Sequence, residues 1–163
     1  MIESFDGKTP RIASSTFVHD SACIIGDVVI GENCSIWPMV VIRGDTCSII
    51  IGNNTQIEDG SVIHGNEYVN IGDRVVIGHN ATVEAEKVGS NVLIGNGATI
   101  LLNVEIGDWC IIAASAMVKA GMKIPGHSLV AGVPATVKGE ITPEREGKIS
   151  WFLYPREFVE KYK

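Results

Sequence analysis

Among the side chains of types that hold a divalent metal ion, three stand out: His64, His79 and Glu84. The last two lie five residues apart in Val-Val-Ile-Gly-His-Asn-Ala-Thr-Val-Glu-Ala-Glu-Lys-Val-Gly, residues 75–89. Two imidazoles and one carboxylate, with water in the fourth position, make an accepted catalytic zinc arrangement. The ion's task there is to lower the pKa of that water to about 7, giving hydroxide at neutral pH. Whether the three converge depends on the elements that carry them.

A repeat sets those elements. Ile51, Ile57, Ile63, Ile71, Ile77, Val83 and Val88 are followed by Ile94, Ile100, Ile106, Ile112, Val118, Ile124 and Val130. From Val88 onward the step is always six, and Gly follows the aliphatic at Gly52, Gly72, Gly78, Gly89, Gly95 and Gly107. Upstream, Ile12, Val18, Ile25, Ile30, Ile36 and Ile42 keep the rhythm with small slips. A period of six fits neither a helix nor plain alternation. It is the hexapeptide signature of a parallel β-helix, in which each short strand is followed by a turn. The fold class expected is therefore all-β: a single parallel β-helix over residues 1–137, then a tail over 138–163. Two longer steps, Ile42 to Ile51 and Ile63 to Ile71, read as loops bulging from the prism. Two five-residue steps, Ile25 to Ile30 and Val83 to Val88, read as one-residue deletions. In the tail, Thr142-Pro-Glu-Arg has the form of a helix N-cap followed by Pro. Trp151, Phe152, Phe158, Val159 and Tyr162 then predict an amphipathic segment, interrupted at Pro155 and packed on the prism or on a neighbour.

Three hexads close one coil, so a position recurs on the same face every third hexad. Coils stack at the strand spacing of about 4.8 Å. Arg43, His64 and Glu84 each follow their aliphatic by one residue and form one outward column in successive coils. Glu58 stacks with Gly78 and Asp59 with His79 on a different face. One chain therefore cannot assemble the three-ligand set. Two chains packed about a threefold axis can, with His79 of one meeting His64 and Glu84 of the next. Arg43, Asp45, Glu58 and Asp59 add charge around the same place, whereas His19 and His127 read as solvated.

Composition narrows the setting. The chain has 163 residues, enough to bury a core, with 45% hydrophobic and 20% charged residues, which excludes disorder. A net charge of −6 argues against nucleic acid and against an anionic membrane as partner. No apolar run approaches a transmembrane length, and Met1-Ile-Glu-Ser-Phe-Asp lacks the regions of a signal peptide, so a cytoplasmic location is expected. Cys23, Cys34, Cys47 and Cys110 show no CxxC spacing and read as reduced thiols.

Ile36-Trp-Pro-Met-Val-Val-Ile-Arg-Gly-Asp45, Gln56-Ile-Glu-Asp-Gly-Ser-Val-Ile-His64, Ile77-Gly-His79 and Ala131-Gly-Val-Pro-Ala135 together resemble the γ-class carbonic anhydrase family, in order and over nearly the whole chain. The resemblance implies a left-handed β-helix with a C-terminal α-helix, a homotrimer, and metal sites holding zinc or iron at subunit interfaces. It implies reversible hydration of carbon dioxide as the activity. The family's three histidines fall at His64, His79 and position 84, where this chain has Glu84. Its Arg-Gly-Asp matches Arg43 and Asp45, an ion pair that ties subunits near the site, and its Asp before glycine matches Asp59. At Gln56 and Glu58 the family commonly has Asn and Gln, the latter orienting the bound hydroxide. These residues give Glu58 and Asp59 as catalytic candidates and Arg43, Asp45 and Gln56 as site organisers. Two other readings stand beside the anhydrase: a non-catalytic trimer that binds a metal or a partner, and an enzyme of thioesters or acyl-coenzyme A. Against an acyltransferase, neither longer step (residues 43–51 and 65–70) contains a histidine.

Overall fold

The structure, a computed structural model, describes residues 1–149 and 153–162. Each hexad contributes a strand of about two residues, and the strands pair in parallel to form three flat faces. On the first face the inward aliphatics stack as Ile24, Ile42, Ile63, Val83, Ile100 and Val118. On the second they are Ile12, Ile30, Ile51, Ile71, Val88, Ile106 and Ile124. The third carries Val18, Ile36, Ile57, Ile77, Ile94, Ile112 and Val130. Apart from the partly buried Ile12 and Val18, these side chains are buried and fill one continuous core. β-branched residues suit this because each packs on its equivalent in the coils above and below.

The corners explain the rest of the hexad. Left-handed backbone is needed at several turns, and Asn occupies it at Asn33, Asn54, Asn80, Asn91 and Asn103. Asn tolerates positive φ better than other side chains. After the second face, consecutive coils approach so closely that only glycine fits. A Cβ on Gly72 would lie 2.8 Å from the backbone carbon of Gly89.

Three expectations are revised. The inward residue of the third hexad is Ile24, fully buried, and not Ile25; with it the steps from Val18 to Ile24 and from Ile24 to Ile30 are both six, so no residue is missing there. Residues Val41–Ile51 form one continuous strand, and no loop bulges between Ile42 and Ile51. The additional residues stay extended around the corner, where Cys47 turns inward and is buried. The other long step is only a short bend at residues 65–67, followed by the strand Tyr68–Ile71. The five-residue step from Val83 to Val88 is present, with Ala85 buried in the tightened corner. Cys34, Cys47 and Cys110 are buried thiols and Cys23 is half-buried.

The last coil reverses at the Val133–Pro134 cis peptide into the strand Ala135–Glu140, which pairs antiparallel with Ser128–Gly132 and straddles position 137. A short helix, Pro143–Ile149, follows Thr142, whose carbonyl accepts from the Glu146 N–H. A second, Arg156–Val159, begins after Pro155 and ends in a 3-10 turn, Glu160–Tyr162. The tail aromatics dock on this chain's own third face. Trp37 receives Tyr154 at 5.2 Å, Phe158 at 6.2 Å and Tyr162 at 5.0 Å between ring centroids, with Phe17 beside it at 5.5 Å. Trp151 and Phe152 lie outside the described residues. His127 is exposed, as expected of a solvated histidine, and also pairs with Glu146 of the first helix at 2.8 Å.

Candidate metal centre

Parallel register decides which side chains meet. Ile42, Ile63 and Val83 are directly paired, so Arg43, His64 and Glu84 lie in adjacent coils at the corner after the first face. His64 is anchored there by its Nδ1–H, which donates to the backbone oxygen of Arg43 at 2.7 Å. That bond fixes the tautomer and leaves the Nε2 lone pair free to face a ligand, as metal-binding histidines require. Thr46 Oγ1 is the side-chain atom recorded against that nitrogen, at 3.4 Å. Glu84 is half-buried, and no side-chain hydrogen bond or ion pair engages its carboxylate among the described residues. Arg43 and Asp45 pair within the chain at 2.6 Å. Against the opposing cost of burial, that guanidinium and its hydrogen bonds hold the Asp45 carboxyl below the usual carboxylate range.

His79 stands at the other end of the first face, before the strand Thr82–Val83, while Glu84 follows that strand. Its backbone is held by the coil above: the N–H donates to Asn96 Oδ1 at 3.1 Å and the carbonyl accepts from Gly97 N–H at 2.8 Å. Its ring lies between two carboxylates, Glu58 Oε2 at 3.3 Å from Nε2 and Asp59 Oδ2 at 3.2 Å from Nδ1. The column pairing of Asp59 with His79 thus holds. Glu58, expected to face outward, is buried. The reason is the tail. The Tyr154 backbone N–H donates to Gln56 Oε1 at 2.8 Å, and Gln56 Nε2 donates to Glu58 Oε1 at 2.8 Å. Burial first, then the nearby Glu58 and Asp59 carboxylates, push the Tyr154 phenol above its ordinary range.

Sequence reasoning missed Tyr154 because the contact joins residues 98 apart through a docked tail, with no local spacing to announce it. The structure therefore presents two half-sites rather than one site. His64 and Glu84 lie at one edge of the first face, and His79, with Glu58 and Asp59, lies at the other. Among the described residues of a single chain, no group of three metal-binding side chains converges. Each half-site offers an imidazole and a carboxylate, which suits a divalent ion of borderline hardness.

Coils of this kind define the class: a left-handed parallel β-helix of hexapeptide repeats. The profile of the bacterial transferase hexapeptide family (six repeats) matches residues 9–44 and 87–120. A carbonic anhydrase of Geobacillus kaustophilus is 43% identical over 163 residues, covering 99% of this chain and 88% of the relative. The carnitine operon protein CaiE of Salmonella agona is 34% identical, covering 86% of this chain and 72% of that one. The mitochondrial γ carbonic anhydrase 2 of Arabidopsis thaliana is 34% identical over 88% of this chain, which spans about half (54%) of that longer relative. Among solved structures, a hexapeptide transferase family protein from Anaplasma phagocytophilum superposes with a TM-score of 0.87 at 30% identity, covering 99% of this chain and 93% of that one. The chain belongs to the γ-carbonic anhydrase-like family of hexapeptide-repeat proteins. No helix of the described residues is long and apolar enough to cross a membrane.

Proposed function

We propose that this protein is a homotrimeric metal-dependent lyase of the γ-carbonic anhydrase type, hydrating carbon dioxide at sites shared between subunits. His64 and Glu84 of one subunit and His79 of the next would hold the ion, zinc or iron. One observation carries this reading: the two half-sites flank the same face, and among the described residues that face has no charge in its outward column and none of the tail's ring contacts. Its outward column is Cys23, Val41, Val62, Thr82, Thr99 and Met117. The second face instead carries Asn70, Lys87, Glu105 and Lys123, and the third lies under the tail. Packing the first faces around a threefold axis brings each His79 edge against a neighbour's His64–Glu84 edge.

A divalent ion held there would supply a Lewis acid that acidifies water at neutral pH. The chain's own groups do the rest. Asp59 steadies His79 through Nδ1, and the Arg43 carbonyl does the same for His64. Glu58 stands beside His79 Nε2, positioned to take a proton from an entering water. Glu84 adds a negative charge where its relatives have imidazole, which strengthens attraction for the ion and makes water bound there less acidic. Turnover should therefore be slower than with three histidines. That same exchange, together with Glu58, favours the second reading, a metal-binding trimer without catalysis. An acyltransferase is the third reading, since the fold neighbour from Anaplasma carries a hexapeptide transferase family name. Elemental analysis of anaerobically purified protein beside a carbon dioxide hydration assay separates them. Metal with turnover supports the lyase, metal without turnover the clip, and neither the transferase.

A further inference from the structure

His79 Nε2 and Glu58 Oε2 are 3.3 Å apart, longer than a good N–H···O hydrogen bond. Two ligands on a tetrahedral zinc ion, each about 2.0–2.1 Å from the metal, are separated by roughly 3.4 Å. The gap between these atoms is thus the edge of a tetrahedral site. Glu58 is also held for that role: Gln56 Nε2 donates to its Oε1, the Tyr154 backbone N–H holds Gln56 in place, and the carboxylate is buried. A glutamine at this position, as in relatives of the family pattern, would offer a weakly ligating amide instead.

We propose that Glu58 is itself a metal ligand, so that at rest each interface ion is held by His79 and Glu58 of one subunit and by His64 and Glu84 of the next. The resting site is then closed, and water or substrate enters only when Glu58 is displaced, whereupon the freed carboxylate is the base. Gln56, itself held by the Tyr154 backbone N–H, is the positioning residue that keeps Glu58 in the closed state. This inference rests on the interfacial metal proposed above.

The test uses the full-length trimer loaded with cobalt(II), whose visible spectrum reports coordination number, titrated with chelator and with azide. Losing an outer-shell partner of a metal ligand typically costs about 10–100-fold in affinity. Glu58→Gln should therefore weaken metal binding at least tenfold and alter the cobalt spectrum. The position it vacates should bind azide at least tenfold more tightly than the parent does. Glu58→Ala gives the same two readings independently of the amide. Gln56→Leu removes the donor that holds Glu58 Oε1 and should raise azide affinity by a smaller factor. If parent and both Glu58 variants hold cobalt equally and bind azide equally, Glu58 is no ligand, while the interface site stands. If the parent binds no cobalt, or His79→Ala leaves cobalt binding unchanged, the interfacial site fails and this proposal with it.

Discussion

Glu84 is the side chain on which the proposed chemistry turns. It pairs in register with His64 and keeps an unengaged carboxylate at the edge of the first face. Glu84→Ala removes one donor that water alone does not replace, so metal affinity should fall at least about tenfold, the lower bound for merely disturbing a ligand's support. Chelator competition on the purified trimer measures this; full occupancy in Glu84→Ala would make Glu84 an ordinary solvated carboxylate. Glu84→His should instead retain the ion and acidify its water. Carbon dioxide turnover should then rise above the parent. A Glu84→His variant no faster than the parent would mean that this carboxylate does not limit the reaction.

The strands that place these residues depend on the aliphatic stack. Ile100 is fully buried between Val83 and Val118. Ile100→Asp puts an unpaired carboxylate in that stack at a cost of several kcal/mol, against a total stability of about 5–15 kcal/mol. The variant should be insoluble or molten; a parent-like melting curve would contradict the inward assignment. Trp37→Ala should act differently, because Trp37 anchors the tail and lies outside the main stack. Proteolysis should then cut residues 153–162 while the coil stays intact. The repeat, its three faces and the column pairings of His64 with Glu84 and Asp59 with His79 are legible in the sequence, because six-residue periodicity fixes register directly. Ile24 is harder to read: Cys23-Ile24-Ile25 offers adjacent apolar residues, and only the neighbouring coil selects one. The strand Val41–Ile51 reads as a loop because an insertion breaks the period even when the backbone stays extended. The tail's aromatic content is visible, but its docking on Trp37 and Gln56 is a long-range contact that periodicity does not encode.

Assembly follows from how the three faces differ. The second is charged, with Lys123 and Glu105 paired at 2.8 Å, and needs no cover. The third is covered by the tail. The first presents Val41, Val62, Thr82, Thr99 and Met117, an uncharged column on which Val62 is 36% exposed in the single chain. Since the half-sites sit at its two edges, an ion shared between subunits requires this face to meet its copies. Light scattering should give three times the 17.5 kDa chain mass at micromolar concentration. Val62→Asp places three carboxylates against one another at the axis, where like charges with little water repel strongly. The side chain points outward, so the coil itself should still fold and melt cooperatively. The variant should therefore be a folded monomer, and it should lose the metal with the trimer even though His64, His79, Glu58 and Glu84 are all unchanged. A monomeric parent, or a monomeric Val62→Asp that keeps the ion at full occupancy, would show that the site does not lie between subunits.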